Sequence, residues 1–299
     1  ELQIKSLVHH FWSEIEHEVV YKNPDFIVYD MFNRDMLGAI RDNLDVVDRQ
    51  LEIMYNEISL ESRNAQIGMD EQGFKVFVAS SINELVNRKM KESLGFATDF
   101  RKCAASIAQY IYVRDFVGGD HNQIRMLDYL ELLNDLNGSP IDFSISLIME
   151  QPYQHRNPFC HITGGFMQSK LNDDFQWHVF FMMIFLLRCG SNIEDFDDYI
   201  QVYYRLVIQP SWLKHAFTSL SEKEAFEVRN RLEEMMADAI VSHNTIQMVY
   251  EETMYRLMNC FETLVTQVEN QYASIDDFRK DETKISSRLS MQVHEIFAK

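Results

Sequence analysis

Residues 1–22, ELQIKSLVHHFWSEIEHEVVYK, contain a change of hydrophobic period that shapes the expected fold. In the first five residues, Leu2 and Ile4 alternate with polar neighbours, which is typical of a short strand with one exposed face. From Val8 to Val20 the apolar residues recur at helical spacing, which predicts an amphipathic helix. Carboxylates, histidines and a lysine therefore gather around one strand-to-helix junction, where α/β proteins often hold functional groups.

This stretch resembles the last strand and the following helix of the synthetase domain in RelA/SpoT-type alarmone synthetases, especially the small single-domain ones. The resemblance rests on E-x-Q-I-K-S over residues 1–6 and on F-W-x-x-I-E-H-x-x-x-Y-K over residues 11–22, and it continues more weakly to residue 66. It implies a GTP pyrophosphokinase that uses Mg²⁺ and transfers pyrophosphate from ATP to the ribose 3′-hydroxyl of GDP or GTP. The product, (p)ppGpp, is the alarmone of the stringent response.

The resemblance assigns roles to individual positions of the strand and the helix. Glu1 matches the catalytic glutamate, which helps to hold Mg²⁺ and orients or deprotonates the attacking 3′-hydroxyl. His10 matches a position near the guanine, and Lys5 stands where the family more often has arginine, so a planar two-pronged donor is replaced by a point charge. The nucleotide-binding residues that the resemblance implies are Gln3, Lys5, His10, Glu16, His17 and Lys22.

Parts of the family's catalytic apparatus precede this strand, namely a basic ATP motif, a metal-binding aspartate and a guanine-stacking tyrosine loop. Since the chain starts at the strand, we expect residues 1–66 to be the C-terminal part of a synthetase domain, inactive by itself and followed by a large extension. The alternative is a non-catalytic helical binding or regulatory module. A single exposed glutamate, lysine or histidine is usually only a solvated side chain.

Composition favours a mainly α-helical chain. Only 10 glycines and 5 prolines occur in 299 residues, which disfavours a loop-rich β architecture, and 46% hydrophobic residues suffice for a core. The expected fold class is therefore mainly α: a remnant strand and helices of an α/β nucleotidyltransferase-like synthetase domain, followed by an all-α helical extension.

Charge and cysteine usage restrict the partners. Acidic residues outnumber basic ones by 46 to 28, so the net charge of −18 repels nucleic acid and anionic membranes. The apolar run 179–187 is shorter than the roughly 20 residues that cross a bilayer. The cysteines are widely spaced, which predicts reduced thiols and a cytoplasmic protein. They are Cys103, Cys160, Cys189 and Cys260.

Glycine and proline positions divide the chain. The pattern of residues 68–73 predicts a linker, which makes 74–299 a separate extension of unknown function. A subdivision of this extension near the irregular stretch 139–172 is an alternative. An apolar stripe along residues 37–58 could serve a homo-oligomer interface. Ser221 and Glu224 form a capping-box pattern. The predicted helices of the extension cover 74–94, 98–116, 121–136, 173–189, 192–209, 221–272 and 278–297.

The irregular stretch contains three metal-ligating residue types, His155, Cys160 and His161. Their spacing matches no zinc pattern and a fourth ligand is not evident. A loop with ordinary polar residues is therefore the preferred interpretation, and a metal site is the alternative.

Overall fold

The computed structural model describes residues 71–115, 117, 123–188 and 190–298, with the side chains of 123–128 and 130 excepted. Residues 71–299 form one compact unit. The predicted strand at residues 1–5 and the helices up to residue 66 lie outside the described residues. The synthetase part and the oligomer stripe thus remain predictions. Of the predicted linker 68–73, the structure describes only residues 71–73, and these are helical.

In the part of the chain that the structure describes, ten α-helices form and no β-strand does, so the mainly α prediction is confirmed there. The helices are α1 Glu71–Leu94, α2 Arg101–Asp115, α3 Gln123–Gly138, α4 Pro158–Lys170, α5 Phe175–Arg188, α6 Asn192–Ile208, α7 Pro210–Leu213, α8 Glu222–Val241, α9 Glu251–Gln271 and α10 Ile275–Phe297.

Local sequence signals account for several helix ends. Gly95 follows α1 with a φ of 78°, a left-handed conformation that glycine adopts without steric cost. Asn157 precedes α4, and its side chain accepts the N–H of Cys160. The capping box of Ser221 and Glu224 opens α8, as its sequence pattern predicts.

The prediction of one helix over residues 221–272 is wrong. α8 ends at Val241, and Asn244 adopts a left-handed conformation with a φ of 48°. A 3-10 helix, Ile246–Val249, follows, opened by the hydroxyl of Thr245, and α9 begins after it. Asparagine is one of the few residues that tolerate this conformation, so the chain can turn here without a glycine or a proline.

The stretch 139–172 is irregular only in its first part, because residues 158–170 form α4. In the irregular part, asparagine side chains make the hydrogen bonds to the backbone that a neighbouring strand would make in a sheet. Asn172 accepts the N–H of Leu147 at 2.8 Å and donates to its carbonyl at 2.9 Å, while Asn192 donates to the carbonyl of Ile148 at 2.9 Å. These bonds satisfy backbone groups that no helix or sheet pairs.

The core is centred on α5, which contacts α2, α3, α4 and α6. Ten of its fourteen residues are buried, as the apolar run 179–187 predicts. Trp177, Phe181 and Tyr199 belong to a continuous aromatic cluster in which rings meet edge to face or stacked. None of the described helices combines the length and apolar character needed to cross a bilayer.

The other helices pack around this centre in pairs. α1 packs along α2, α8 packs against α4 and α10, and α9 packs against α6 and α10. α6 thus touches helices from both the first and the last part of the unit. Its amphipathic pattern buries Phe196, Tyr199 and Tyr203, and leaves the opposite side free for polar groups.

Candidate functional site

The site residues predicted from the family resemblance all lie outside the described residues. They are Glu1, Gln3, Lys5, His10, Glu16, His17 and Lys22. The second sequence candidate, a metal site of His155, Cys160 and His161, lies within them. There Cys160 is buried in α4 and His161 is exposed on it, and no group of three metal-ligating side chains forms anywhere in the described ranges.

Polar side chains do converge in a cleft of ≈ 380 Å³ between the loop before α4 and the first turns of α6. The loop is fastened there by Gln168 of α4, which accepts the N–H of Tyr153 at 2.6 Å and donates to the carbonyl of Gln151 at 2.8 Å. The cleft is lined by Gln151, Pro152, Tyr153, Gln154, His155, Ile193 and Asp197.

Tyr153 forms the floor of this cleft. Its ring is buried against α4, where Gly164 leaves room that any Cβ would fill, and it meets the Phe196 ring edge to face at 5.2 Å. The hydroxyl donates to Oδ1 of Asp197 at 2.7 Å. Burial and the bond to Asp197 both raise the pKa of Tyr153, so the phenol stays protonated and holds the carboxylate in place.

Gln201 and His155 form the other side of the same polar group. The Gln201 amide nitrogen lies 3.2 Å from Oδ2 of Asp197 and 3.3 Å from Nε2 of His155. A hydrogen bond orients the His155 ring, because the backbone N–H of Asn157 donates to its Nδ1 at 3.0 Å. Nε2 is therefore the ring nitrogen directed toward the polar group.

A charged network beside the cleft places the start of α6. Arg114, at the end of α2, donates through Nε to Asp198 at 2.9 Å and through Nη1 to Asp115 at 3.1 Å. Arg188, at the end of α5, donates to Asp115 at 3.4 Å. Arg114 pairs with Asp198, and none of the described cations forms an ion pair with the neighbouring Asp197.

A second polar group lies deeper, where α8 meets α4 and α6. Glu233 is buried and accepts hydrogen bonds from the amide of Asn157 and from the hydroxyl of Tyr204, the latter at 3.0 Å. Burial raises the pKa of Glu233 despite these two donors. Because Asn157 also caps α4, this group fastens α8 to the helix start next to the cleft.

The three cysteines in the described ranges are not activated nucleophiles. Burial raises the pKa of Cys103 and of Cys160 to about 12, and it also raises the pKa of Cys260. A thiolate, the reactive form, is therefore scarce at neutral pH. Covalent catalysis by these thiols is disfavoured.

A wider groove of ≈ 610 Å³ runs between α8 and α10. Its arginines are already engaged, since Arg231 pairs with Glu234 and Glu282, and Arg279 pairs with Glu227. The exposed ring of Phe226 lies at its edge. The charges of this groove mainly join the two helices.

Sequence reasoning singled out His155 but missed its partners. Tyr153, two positions before it, is flanked by prolines at 152 and 158, and Asp197 and Gln201 are spaced by one helical turn on the polar side of α6. That spacing was visible in the sequence. What joins the loop to α6 is a contact across more than forty residues, which no local pattern reveals.

Comparisons of the chain with protein-family models, with curated proteins and with solved structures found no match.

Proposed function

We propose that residues 1–66 are the C-terminal part of a RelA/SpoT-like GTP pyrophosphokinase domain, which transfers pyrophosphate from ATP to the 3′-hydroxyl of GDP or GTP. The observation that carries the proposal is the ordered match of residues 1–22, with Glu1 and Gln3 on a predicted strand and the Glu16-His17 pair on the helix that follows. Single positions of this kind recur by chance, whereas an ordered series does so rarely.

In this proposal, Glu1 supplies the chemistry and the basic residues supply binding. A carboxylate beside the 3′-hydroxyl accepts its proton as the oxygen attacks phosphorus. Mg²⁺, held in part by Glu1, would neutralise charge on the transferred group. Lys5, Lys22 and His10 would contact phosphates or guanine, so their contribution is already present in the ground state.

The test uses a protein extended upstream of Glu1 by its own coding sequence. Reading that sequence for the basic ATP motif and the tyrosine loop comes first. The extended protein should form guanosine tetraphosphate from ATP and GDP, and Glu1→Gln should lower kcat by about 10²- to 10⁴-fold with little change in KM. The matched control is Glu18→Gln, which removes one carboxylate from the predicted helix that follows the strand, at a position to which the resemblance assigns no role.

Two results would contradict the proposal. A Glu1→Gln variant with normal kcat would show that the match at this residue is only structural. Pyrophosphoryl transfer by the 299-residue chain itself, above its own Glu1→Gln control, would show that the upstream motifs are not needed.

The second candidate is a non-catalytic helical binding or regulatory module, and an observation on residues 71–298 favours it for that unit. Its ordered polar cleft holds a fixed carboxylate, while its described thiols are kept protonated by burial. Such a unit suits ligand binding more than covalent chemistry. An upstream coding sequence without the ATP motif would favour this candidate for the whole chain.

A further inference from the structure

We propose that the cleft between the loop before α4 and the start of α6 binds an organic cation, a guanidinium or primary ammonium group, on the carboxylate of Asp197. The proposal concerns residues 151–201 only. It does not depend on the synthetase proposal, because none of the residues that carry it lies in residues 1–66.

The first argument is charge. Asp197 is half-buried, and its two hydrogen-bond donors, Tyr153 and Gln201, are both neutral. Arg114, which pairs with the neighbouring Asp198, also donates to Asp115, and no ion pair joins a described cation to Asp197. A half-buried carboxylate with neutral partners gains from a cation more than an exposed one does, because the surrounding dielectric is lower.

The second argument is a hydrogen-bond conflict among the side chains of the cleft. Because the Asn157 N–H donates to Nδ1 of His155, the hydrogen of the neutral ring lies on Nε2. That N–H faces the Gln201 amide nitrogen, which cannot accept it. Turning the Gln201 amide satisfies His155, but it then places the amide oxygen against Oδ2 of Asp197, acceptor facing acceptor.

A cationic donor resolves this conflict. With the Gln201 oxygen turned toward the cleft, His155 donates to it, and a ligand N–H can donate both to that oxygen and to Oδ2 of Asp197. With Asp197 in its carboxylate form, the three protein side chains cannot pair all of these atoms with one another. A ligand that carries several N–H donors and a positive charge therefore fits the site better than an anion or a neutral acceptor.

The third argument is the shape of the cleft. Its volume of ≈ 380 Å³ suits a small organic group, and Pro152 and Ile193 offer apolar surface for a short alkyl chain. A bare divalent cation is less suited, since no third metal-ligating side chain joins His155 and Asp197 among the described residues. The net charge of −18 further attracts cations to the protein.

The experiment titrates the full 299-residue chain with n-butylguanidinium and with n-butylurea, which has the same shape and no charge. Calorimetry gives the affinity, and the ¹⁵N and ¹H signals of the His155 ring, assigned with a His155→Gln variant, report the place of binding. We expect n-butylguanidinium to bind with a Kd on the order of 1 mM and to shift the His155 signals. The urea should bind at least about tenfold more weakly.

Three variants locate the site. Asp197→Asn should raise the Kd for n-butylguanidinium at least about tenfold. Glu194 is an exposed carboxylate one turn earlier on α6, and Glu194→Gln should leave the Kd within about twofold. Thermal melts check that each variant folds. If Asp197→Asn does not fold, Ile193→Trp replaces it, since the larger side chain fills the cleft and should also abolish binding.

The remaining outcomes either contradict the proposal or identify the source of the cation. Equal binding of the urea and the guanidinium, unchanged binding by Asp197→Asn, or no saturable binding at tens of millimolar would overturn the proposal. A further titration with acetyl-Gly-Arg-Gly-amide separates two sources of the same chemistry. Tighter binding of the peptide would assign the cation to an arginine of a protein partner, and tighter binding of n-butylguanidinium would assign it to a free small molecule.

Discussion

Three tyrosines bring hydroxyl groups into the aromatic core without a hydrogen-bond partner among the described residues: Tyr110, Tyr199 and Tyr203. Burial raises the pKa of each of them. An unpaired buried hydroxyl costs free energy, because water no longer solvates it. These positions are therefore occupied by tyrosine for the packing of its ring and not for the bonds of its oxygen.

The adjacent pair Tyr203 and Tyr204 tests this interpretation. Tyr203→Phe removes an unpaired hydroxyl and should leave the free energy of unfolding unchanged or raise it by up to about 1 kcal/mol. Tyr204→Phe removes the donor to Glu233 and should lower it by about 1 to 3 kcal/mol. Chemical denaturation of both variants measures the difference. An equal loss in the two would show that the Tyr203 hydroxyl has a partner after all.

Glu233 links stability to pH. Because its native pKa is raised above the ordinary 4.5, the native state binds this proton more tightly than the unfolded state does. The contribution of Glu233 to stability is therefore full below pH 4.5 and is lost as the pH rises through the native pKa. At neutral pH the ionised carboxylate destabilises the native state, because the hydrogen bonds from Asn157 and Tyr204 and the charge of Arg229 do not fully offset its burial.

Glu233→Gln should remove that destabilisation. The amide can accept from Asn157 and donate to the Tyr204 oxygen, so the free energy of unfolding at neutral pH should rise by about 1 kcal/mol. Below about pH 4 the variant and the parent should be equally stable. Denaturation at several pH values measures this, with exposed Glu295→Gln as the control. A variant that is less stable at neutral pH would contradict the raised pKa.

At the scale of elements, the packing of α4 against the loop before it depends on one of two adjacent glycines. A Cβ on Gly164 would overlap the ring of Tyr153, whereas a Cβ on Gly165 would meet no atom within 4 Å. Only the first glycine is therefore required by packing. Its absent side chain lets the loop, and with it the floor of the cleft, lie directly on the helix.

The two alanine variants should differ in sign. Gly164→Ala should lower the free energy of unfolding by about 1 to 3 kcal/mol, because the Tyr153 ring must move. Gly165→Ala should raise it by up to about 1 kcal/mol, because alanine favours the helix. Thermal melts give both values. Destabilisation by Gly165→Ala as large as by Gly164→Ala would contradict the packing argument.

At the scale of the whole molecule, residues 71–299 form a compact unit with a core of their own. Side chains from α1 at its start and from α10 at its end are both buried, among them Ile82 and Leu289 at 0% exposure. An ion pair between Lys75 and Glu251, 3.1 Å long, also joins α1 to α9. The helices thus depend on one another, which favours all-or-none folding.

Residues 71–299 expressed alone should therefore fold. We expect a helix-dominated circular dichroism spectrum and one cooperative thermal transition, because a unit with its own core can fold independently. The full chain serves as the comparison. A spectrum of disordered chain, or a broad transition without cooperativity, would contradict the prediction.

The sequence by itself determined most helices of the described unit, because their signals are local. The unbroken apolar run 179–187 predicted α5, Pro210 predicted the end of α6, and the Ser221-Glu224 box predicted the start of α8. It failed where the deciding signal is weak, as at Asn244, whose left-handed turn no proline or glycine announces, and at Pro158, which begins α4 inside a stretch expected to be irregular.

Only the tertiary structure determined which side chains come together in the cleft. Asp197 looks like any acidic residue on the polar side of a helix, and Tyr153 like any aromatic residue of a loop. They become a site because Gly164 admits the Tyr153 ring, Gln168 fastens the loop, and Arg114 pairs with the neighbouring carboxylate of Asp198. Each of these contacts joins distant parts of the chain, and a residue's charge environment is set by such neighbours, which local periodicity does not encode.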